Sequence, residues 1–312
     1  MVIRTLWECG RGHASRRQAH LGLAAALLLT VVVACDSTEG GNGGAPPTAT
    51  TSPSVVRPSP TPSPTPENTE ALDSMVAIGH SGLTGYGTIA PIGENVSWAT
   101  GKDPAVNSIY RRLLREHPAL KGHNYNQAVD GSRIVDMLDQ IDGLVEVTPV
   151  PDIFIIQSLD NDIRCDGTDQ QNLKPFGADF TKVLQKIVKM NPNARIYVVS
   201  AQLGVVMDWA RFIARTPEAR DAFMGPDPSP CAALDEKGRV VAANVAFNQR
   251  VIDAYEDVLA DTCKRFRQCQ YDHGALHNMP FRARDVTDDF GHLSIAGHRH
   301  AAAVLWEAFD WK

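Results

Sequence analysis

A serine flanked by glycines follows the first apolar run of the folded part of the chain. Gly79-His80-Ser81-Gly82 comes directly after residues 75–78, a run that predicts a buried strand. A serine at the end of such a strand exposes its hydroxyl and its backbone N–H, as a nucleophile requires. Taken alone, the segment is equally typical of a flexible turn or a helix N-cap.

A carboxylate and an imidazole lie close together near the C-terminus. Asp289 precedes His292 by three residues, just ahead of a predicted helix. A carboxylate so placed can accept a hydrogen bond from Nδ1 of the imidazole, which leaves Nε2 free to take a proton from a serine. Taken alone, the two residues are equally typical of a surface Asp–His pair.

Two further segments predict hydrogen-bond donors for an oxyanion. Gly131 precedes a predicted helix and offers a backbone N–H, and Asn161 follows a buried strand and offers a side-chain amide. Each alone is also typical of an ordinary loop glycine or turn residue.

The elements that must position these residues alternate between strands and helices. Apolar runs predict strands at 75–78, 125–129, 152–157 and 195–200, and helical spacing predicts helices at 105–116, 134–145, 180–190, 243–259 and 294–309. This alternation predicts an α/β fold with helices on both faces of a parallel sheet. Sites in such sheets form at the carboxyl ends of strands.

The order and spacing of the four segments resemble the SGNH/GDSL hydrolase superfamily over residues 73–312. The blocks of that family match residues 79–81, 126–131, 159–162 and 289–292, and the last block continues in the family's Leu-Ser-x-x-Gly-His. The resemblance implies a single-domain, three-layer α/β/α, flavodoxin-like fold and an enzyme that acts on ester bonds.

The resemblance also implies a role for each site residue. Ser81 would be the nucleophile, His292 the general base and then the acid, and Asp289 the residue that orients His292. The N–H groups of Ser81 and Gly131 and the side chain of Asn161 would form the oxyanion hole. No cofactor is implied.

Two residues depart from the family pattern. His80 replaces the aspartate of the Gly-Asp-Ser motif, and Leu159 replaces the glycine of the third block. The first lies beside the nucleophile, and the second adds a side chain that would displace Asn161. Neither removes a member of the triad.

The cysteines predict two disulfides in an exported domain. Four cysteines lie in the body of the chain and allow three connectivities, of which we favour Cys263–Cys269 and Cys165–Cys231. The first closes a tight local loop, and the second ties down a long insertion at 203–235. No metal site is predicted, because the pairs His273/His277 and His298/His300 have no acidic third ligand at a characteristic spacing.

The N-terminus predicts export and a lipid anchor. Residues 1–34 combine four arginines with a short apolar run, and small residues then precede Cys35, as in the lipobox of bacterial lipoproteins. Cleavage before Cys35 and lipidation of its thiol would follow; a plain signal peptide or a membrane anchor is the alternative. Ser15-Arg16-Arg17 leaves the choice between the Sec and Tat routes open.

The segment after Cys35 predicts a tether. Residues 35–72 are rich in Ser, Thr, Gly and Pro, a composition that does not bury enough apolar surface to fold. Without the signal peptide the chain has 26 basic and 35 acidic residues, a net charge of −9 that offers no attraction to nucleic acid or to anionic lipid. Attachment to the membrane would therefore depend on the lipid.

Together these features predict a monomeric serine esterase on the outer face of a bacterial cytoplasmic membrane. Its substrate would be a lipid, short-chain acyl or acetylated-carbohydrate ester, selected by loops at 82–104, 164–176 and 203–235. An acyltransferase with a sugar acceptor and a catalytically silent glycan- or lipid-binding lipoprotein are the alternatives. Trp98 and Trp209 would either contact such a ligand or pack in the core.

Overall fold

A parallel five-stranded sheet forms the centre of the chain in a computed structural model. The structure describes residues 72–88, 93–147, 149–202, 206–224 and 229–311. The predicted signal peptide, Cys35 and all of the predicted tether except its last residue lie outside these ranges. The strands are β1 Met75–Gly79, β2 Asn124–Asn126, β3 Ile153–Gln157, β4 Arg195–Val199 and β5 Cys269–Tyr271, in the spatial order β2-β1-β3-β4-β5.

Helices cover both faces of this sheet. The α-helices are α1 Ser81–Thr84, α2 Ile109–Glu116, α3 Met137–Asp142, α4 Asp169–Met190, α5 Val206–Arg215, α6 Pro217–Phe223, α7 Ala242–Cys263 and α8 Ile295–Glu307. Alternate strand residues point to opposite faces, so Val76 and Ile78 pack with α3, α4 and α7, whereas Met75 and Ala77 pack with α2 and α8. The result is the expected single-domain, flavodoxin-like α/β/α architecture.

Several predicted boundaries are wrong for identifiable reasons. The helix predicted at 105–116 begins only at Ile109, because Asn107 has a φ of +52° and Ser108 caps the helix by accepting a hydrogen bond from Arg111 N–H. The segment at 134–145 divides into a 3₁₀ turn, Ile134–Asp136, and the short α3. The strand predicted at 125–129 ends at Asn126.

The helix predicted at 180–190 begins eleven residues earlier, at Asp169. Pro175 and Gly177 argue against a helix in the sequence, yet both lie inside α4. Gly177 is needed there because a Cβ atom would lie 2.8 Å from Val258 Cγ1 on α7. Tight packing between α4 and α7 therefore outweighs the local preference.

The expectation of loops at 164–176 and 203–235 is also wrong in part. Most of the first segment is the start of α4, and the second contains α5 and α6. β5 was not predicted, since it has three residues and only Tyr271 is buried. In the described ranges, no helix is both long and apolar enough to span a membrane.

Candidate active site

Ser81 lies at the carboxyl end of β1, as the first residue of α1. β1 ends at Gly79, where a Cβ atom would lie 2.2 Å from the carbonyl oxygen of Gln157 on β3. Only glycine allows this close approach of the two strands. His80 then forms the N-cap of α1, and Ser81 follows with a partly exposed side chain.

His292 reaches Ser81 from a loop that folds back on itself. A β-bridge joins Val286 to Leu293, and the N–H of Thr287 donates to the carbonyl oxygen of His292 at 2.9 Å. These contacts hold the imidazole, which is 5% exposed, with its Nε2 atom 2.9 Å from Ser81 Oγ. The distance suits proton transfer between the two groups.

Asp289 holds the other side of the imidazole. Its Oδ2 atom lies 2.8 Å from His292 Nδ1, and its Oδ1 atom accepts hydrogen bonds from Thr287 Oγ1 and from the N–H groups of Gly291 and His292. Burial raises the pKa of Asp289, but the hydrogen bonds from His292 and Thr287 outweigh it and the net pKa is well below its usual value. The carboxylate is therefore ionised near neutral pH and accepts the Nδ1 proton.

The three predicted oxyanion donors also lie at the carboxyl edge of the sheet. Among the described residues, no acceptor contacts the backbone N–H of Ser81 or of Gly131. Asn161 Nδ2 donates one proton to the carbonyl oxygen of Ser132 at 3.0 Å, which orients the amide and leaves its second proton available. An unpaired N–H at this edge is suited to bind a developing oxyanion.

The structure accounts for Leu159 in the third block. Leu159 has a φ of +81°, the region that favours glycine, and its side chain is fully buried in the apolar core. The core therefore accommodates the added side chain. A bulky residue at such a φ costs about 1–3 kcal/mol of backbone strain.

Several residues around the site were not identified from the sequence. Gln140 accepts from Gly79 N–H and donates to Gly79 O, which fixes the end of β1. Its only sequence signal is a polar residue on the apolar face of the 134–145 segment. The Tyr86 ring, 48% exposed, lies 4.6 Å from the His292 ring, and no sequence pattern indicates this contact.

The two tryptophans differ in their roles. Trp98 is fully buried in the core. Trp209 packs edge-on against Phe223, with ring centroids 4.9 Å apart, and its indole N–H donates to the carbonyl oxygen of Phe290 at 2.8 Å. Trp209 thus contacts the loop that carries Asp289 and His292.

Two disulfides join the pairs favoured from the sequence, Cys165–Cys231 and Cys263–Cys269. Cys165 follows Asn161 by four residues, and Ser229 Oγ donates to the carbonyl oxygen of Cys165 at 3.1 Å. The insertion that contains α5 and α6 is therefore tied to the loop of Asn161.

Most histidines outside the site have protein partners. His298 is buried, accepts a hydrogen bond from Trp98 N–H, and has its pKa lowered to about 3 by burial and the charge of His292. Within the described ranges, one group could hold a metal ion: ligand atoms of Asp253, Glu256 and His277 lie within 4.8 Å of one another. The sequence did not suggest this group, because its two carboxylates lie on α7, more than 20 residues before His277. Both ring nitrogens of His277 already have protein partners, Glu256 and Gln249.

The part of the chain that holds the sheet and the candidate site matches a known family. The model of the GDSL-like lipase/acylhydrolase family matches residues 75–305. The chain therefore belongs to this family, and it is an ester-hydrolysing enzyme.

Solved structures that are similar to this chain are distant from it in sequence. An acetyl-xylooligosaccharide esterase from Geobacillus is 17% identical (TM-score 0.45; 77% of this chain and 96% of that chain covered). An extracellular lipase from Streptomyces rimosus is 17% identical (TM-score 0.43; 76% of this chain and 99% of that chain covered). A family 3 carbohydrate esterase from Clostridium thermocellum is 14% identical (TM-score 0.42; 76% of this chain and 94% of that chain covered). No curated protein matches the chain.

Proposed function

We propose that this chain is an extracytoplasmic serine esterase in which Ser81, His292 and Asp289 form the catalytic triad. The observation that carries the proposal is the continuous hydrogen-bonded chain from Ser81 Oγ through His292 to Asp289, with steps of 2.9 and 2.8 Å. In this arrangement Nδ1 carries a proton bound to Asp289, so Nε2 presents its lone pair to the serine hydroxyl.

The reaction would proceed in two halves. Ser81 Oγ attacks the ester carbonyl carbon while His292 Nε2 takes the hydroxyl proton, and the oxyanion is bound by the N–H groups of Ser81 and Gly131 and by Asn161. His292 then gives its proton to the leaving alcohol, and the acyl group stays on Ser81. Water next attacks the acyl-enzyme with His292 as the base, which releases the carboxylic acid and restores Ser81 Oγ–H.

The proposed substrate is a lipid, short-chain acyl or acetylated-carbohydrate ester. Two exposed apolar side chains border the site and support an ester with an apolar face: Tyr86 lies against His292, and Val129 precedes Gly131 by two residues. Rates on a series of p-nitrophenyl esters of increasing acyl length, compared with rates on acetylated sugars, distinguish these classes.

The proposed location rests on the sequence before the domain. The lipobox-like segment ending at Cys35 and the Pro/Thr-rich tether support a lipid anchor on the outer face of the membrane. Cys35→Ser should release the full chain from the membrane fraction. Retention of the variant at the wild-type level would contradict the anchor.

A serine-directed fluorophosphonate tests the triad. The wild-type protein should become labelled, and Ser81→Ala should not. His292→Ala should react with the label and hydrolyse p-nitrophenyl acetate at rates reduced at least on the order of 10³-fold. Equal labelling of Ser81→Ala would show that another residue is the nucleophile. An unlabelled wild-type protein would favour a silent binding protein, and transfer of the acyl group to an added sugar would favour an acyltransferase.

A further inference from the structure

His80 forms two hydrogen bonds at the base of the nucleophile. The side chain is 3% exposed and sits at the N-cap of α1, where its Nδ1 atom accepts a hydrogen bond from Gly82 N–H at 3.1 Å. Its Nε2 atom lies 2.9 Å from Oδ2 of Asp160. The bond between Gly82 and His80 spans Ser81, because Ser81 lies between these two residues in the chain.

These contacts determine the tautomer of His80. Nδ1 accepts from a backbone N–H and so has no proton in the neutral ring. The ring proton is therefore on Nε2, where it is donated to the Asp160 carboxylate. An imidazole provides an acceptor for Gly82 and a donor for Asp160 at once, whereas the aspartate of the family motif provides only acceptors.

Asp160 also lies next to Asn161, a second proposed oxyanion donor. It follows Leu159, which has a φ of +81°, and directly precedes Asn161. Its second oxygen, Oδ1, accepts a hydrogen bond from Gln202 N–H at 3.2 Å. Asp160 is thus bonded to the segments that follow β1 and β4 while lying in the segment that follows β3.

We propose that His80 and Asp160 act as a positioning pair, which holds the N–H of Ser81 and the amide of Asn161 in the relative geometry that an oxyanion requires. The inference rests on the proposed function. Both departures from the family motif lie at this pair: His80 is a member of it, and Leu159 directly precedes Asp160. In this role neither His80 nor Asp160 contacts the substrate.

The proposal predicts which kinetic constant changes. The two donors bind a negative charge that exists only after Ser81 has attacked, so their misplacement weakens the transition state and not the ester complex. His80→Asn keeps an acceptor for Gly82 but is too short to reach Asp160. This variant and Asp160→Ala should each lower kcat on the order of ten- to a hundredfold with KM within about twofold.

The double variant tests whether the two residues act as one unit. His80→Asn/Asp160→Ala should be about as slow as Asp160→Ala alone, because Asp160→Ala already breaks the His80–Asp160 bond that His80→Asn would remove. Multiplying effects, or a rise in KM at unchanged kcat, would overturn the proposal.

A spectroscopic measurement separates this inference from the proposed function. The ¹⁵N-imidazole NMR spectrum of the Ser81→Ala protein should show His80 as the Nε2–H tautomer, with Nδ1 unprotonated, whether or not the protein is an esterase. An Nδ1–H tautomer would refute the pair even if the esterase proposal holds. If the wild-type protein showed the expected tautomer but no esterase activity, both the positioning role and the proposed function would be refuted. Only the hydrogen bond between His80 and Asp160 would then be confirmed.

The chain offers a matched control. His277 and Glu256 form a second pair of a buried imidazole and a carboxylate, with 2.8 Å between Nδ1 and Oε1, and His277 has no hydrogen bond to the triad or to the oxyanion donors. His277→Asn should lower the unfolding temperature but leave kcat within about twofold. A similar loss of kcat in this control would show that breaking any buried pair slows the enzyme.

Discussion

The indole N–H of Trp209 donates to the carbonyl oxygen of Phe290 at 2.8 Å, so that an inserted helix holds the loop of the proposed base. Phe290 lies between Asp289 and His292 and has a φ of +61°, where a bulky residue is unfavourable. The bond from α5 therefore stabilises a loop that would relax without it. Trp209→Phe keeps the ring beside Phe223 but removes the donor.

We expect Trp209→Phe to lower kcat/KM for p-nitrophenyl acetate about fivefold, since a net hydrogen bond contributes roughly 1 kcal/mol. Trp311→Phe is the control, because Trp311 packs edge-on against Phe309 near the C-terminus. Unchanged kcat/KM in Trp209→Phe would mean that the loop keeps its geometry without the bond.

The amide of Asn161 gives a second prediction. Asn161→Ala removes one of three proposed oxyanion donors, and kcat should fall on the order of 10²–10³-fold with little change in KM. Asn191→Ala is the matched control, because Asn191 Nδ2 also donates to a backbone carbonyl at 3.0 Å, that of Pro151. If Asn161→Ala retained wild-type kcat, the oxyanion would have to be bound elsewhere.

The two disulfides should differ in their effects on activity. Cys165 and Cys231 are 66 residues apart, whereas Cys263 and Cys269 are only 6 apart. In the chain-entropy model the longer loop contributes roughly 4 kcal/mol and the shorter roughly 2 kcal/mol to the free energy of unfolding. The longer bridge also ties the Asn161 loop to the insertion.

Replacing each pair of cysteines by serine therefore separates stability from function. We expect Cys165→Ser/Cys231→Ser to lower both the unfolding temperature and kcat, and Cys263→Ser/Cys269→Ser to lower the unfolding temperature alone. Urea unfolding and esterase kinetics measure the two effects. Equal kcat in both variants would show that the insertion does not support the oxyanion loop.

The sequence predicts the centre of the fold well because that part depends on local patterns. β1, β3 and β4 are apolar runs buried on both faces of the sheet, and such runs are typical of strands when they are too short for a helix. The site residues follow from the same logic, since parallel strands bring their carboxyl ends to one edge. α4 was predicted too short because only the packing of Gly177 against Val258 explains a helix there.

The supporting contacts of the site are not visible in the sequence. His80 bonds to a residue 80 positions away, and Trp209 to one 81 positions away. Each pair meets only after the sheet has formed, and neither has a spacing that a single sequence can reveal. His80 and Leu159 look like defects of a motif in the sequence, whereas in the structure each has a specific packing or hydrogen-bond partner.

Asp162 should make the stability of the domain depend on pH. Burial raises the pKa of this carboxyl to about 7, although the hydrogen bond from Ile134 N–H and the charge of Arg133 lower it in part. Between the unfolded pKa of 3.8 and about 7, the folded state keeps a proton that the unfolded state has lost. Stability therefore falls as the pH rises through this window and is level above it.

Asp162→Asn keeps an acceptor for Ile134 N–H but does not titrate. Relative to wild type, its free energy of unfolding should rise by up to roughly 3 kcal/mol from pH 4.5 to 7.5. Asp235→Asn is the control: the pKa of Asp235 is lowered to about 2, mainly by hydrogen bonds from Arg239, so both states are ionised across the window. Urea unfolding at the two pH values measures both differences, and a gap between wild type and Asp162→Asn that stays constant would mean that Asp162 is ionised in the folded protein.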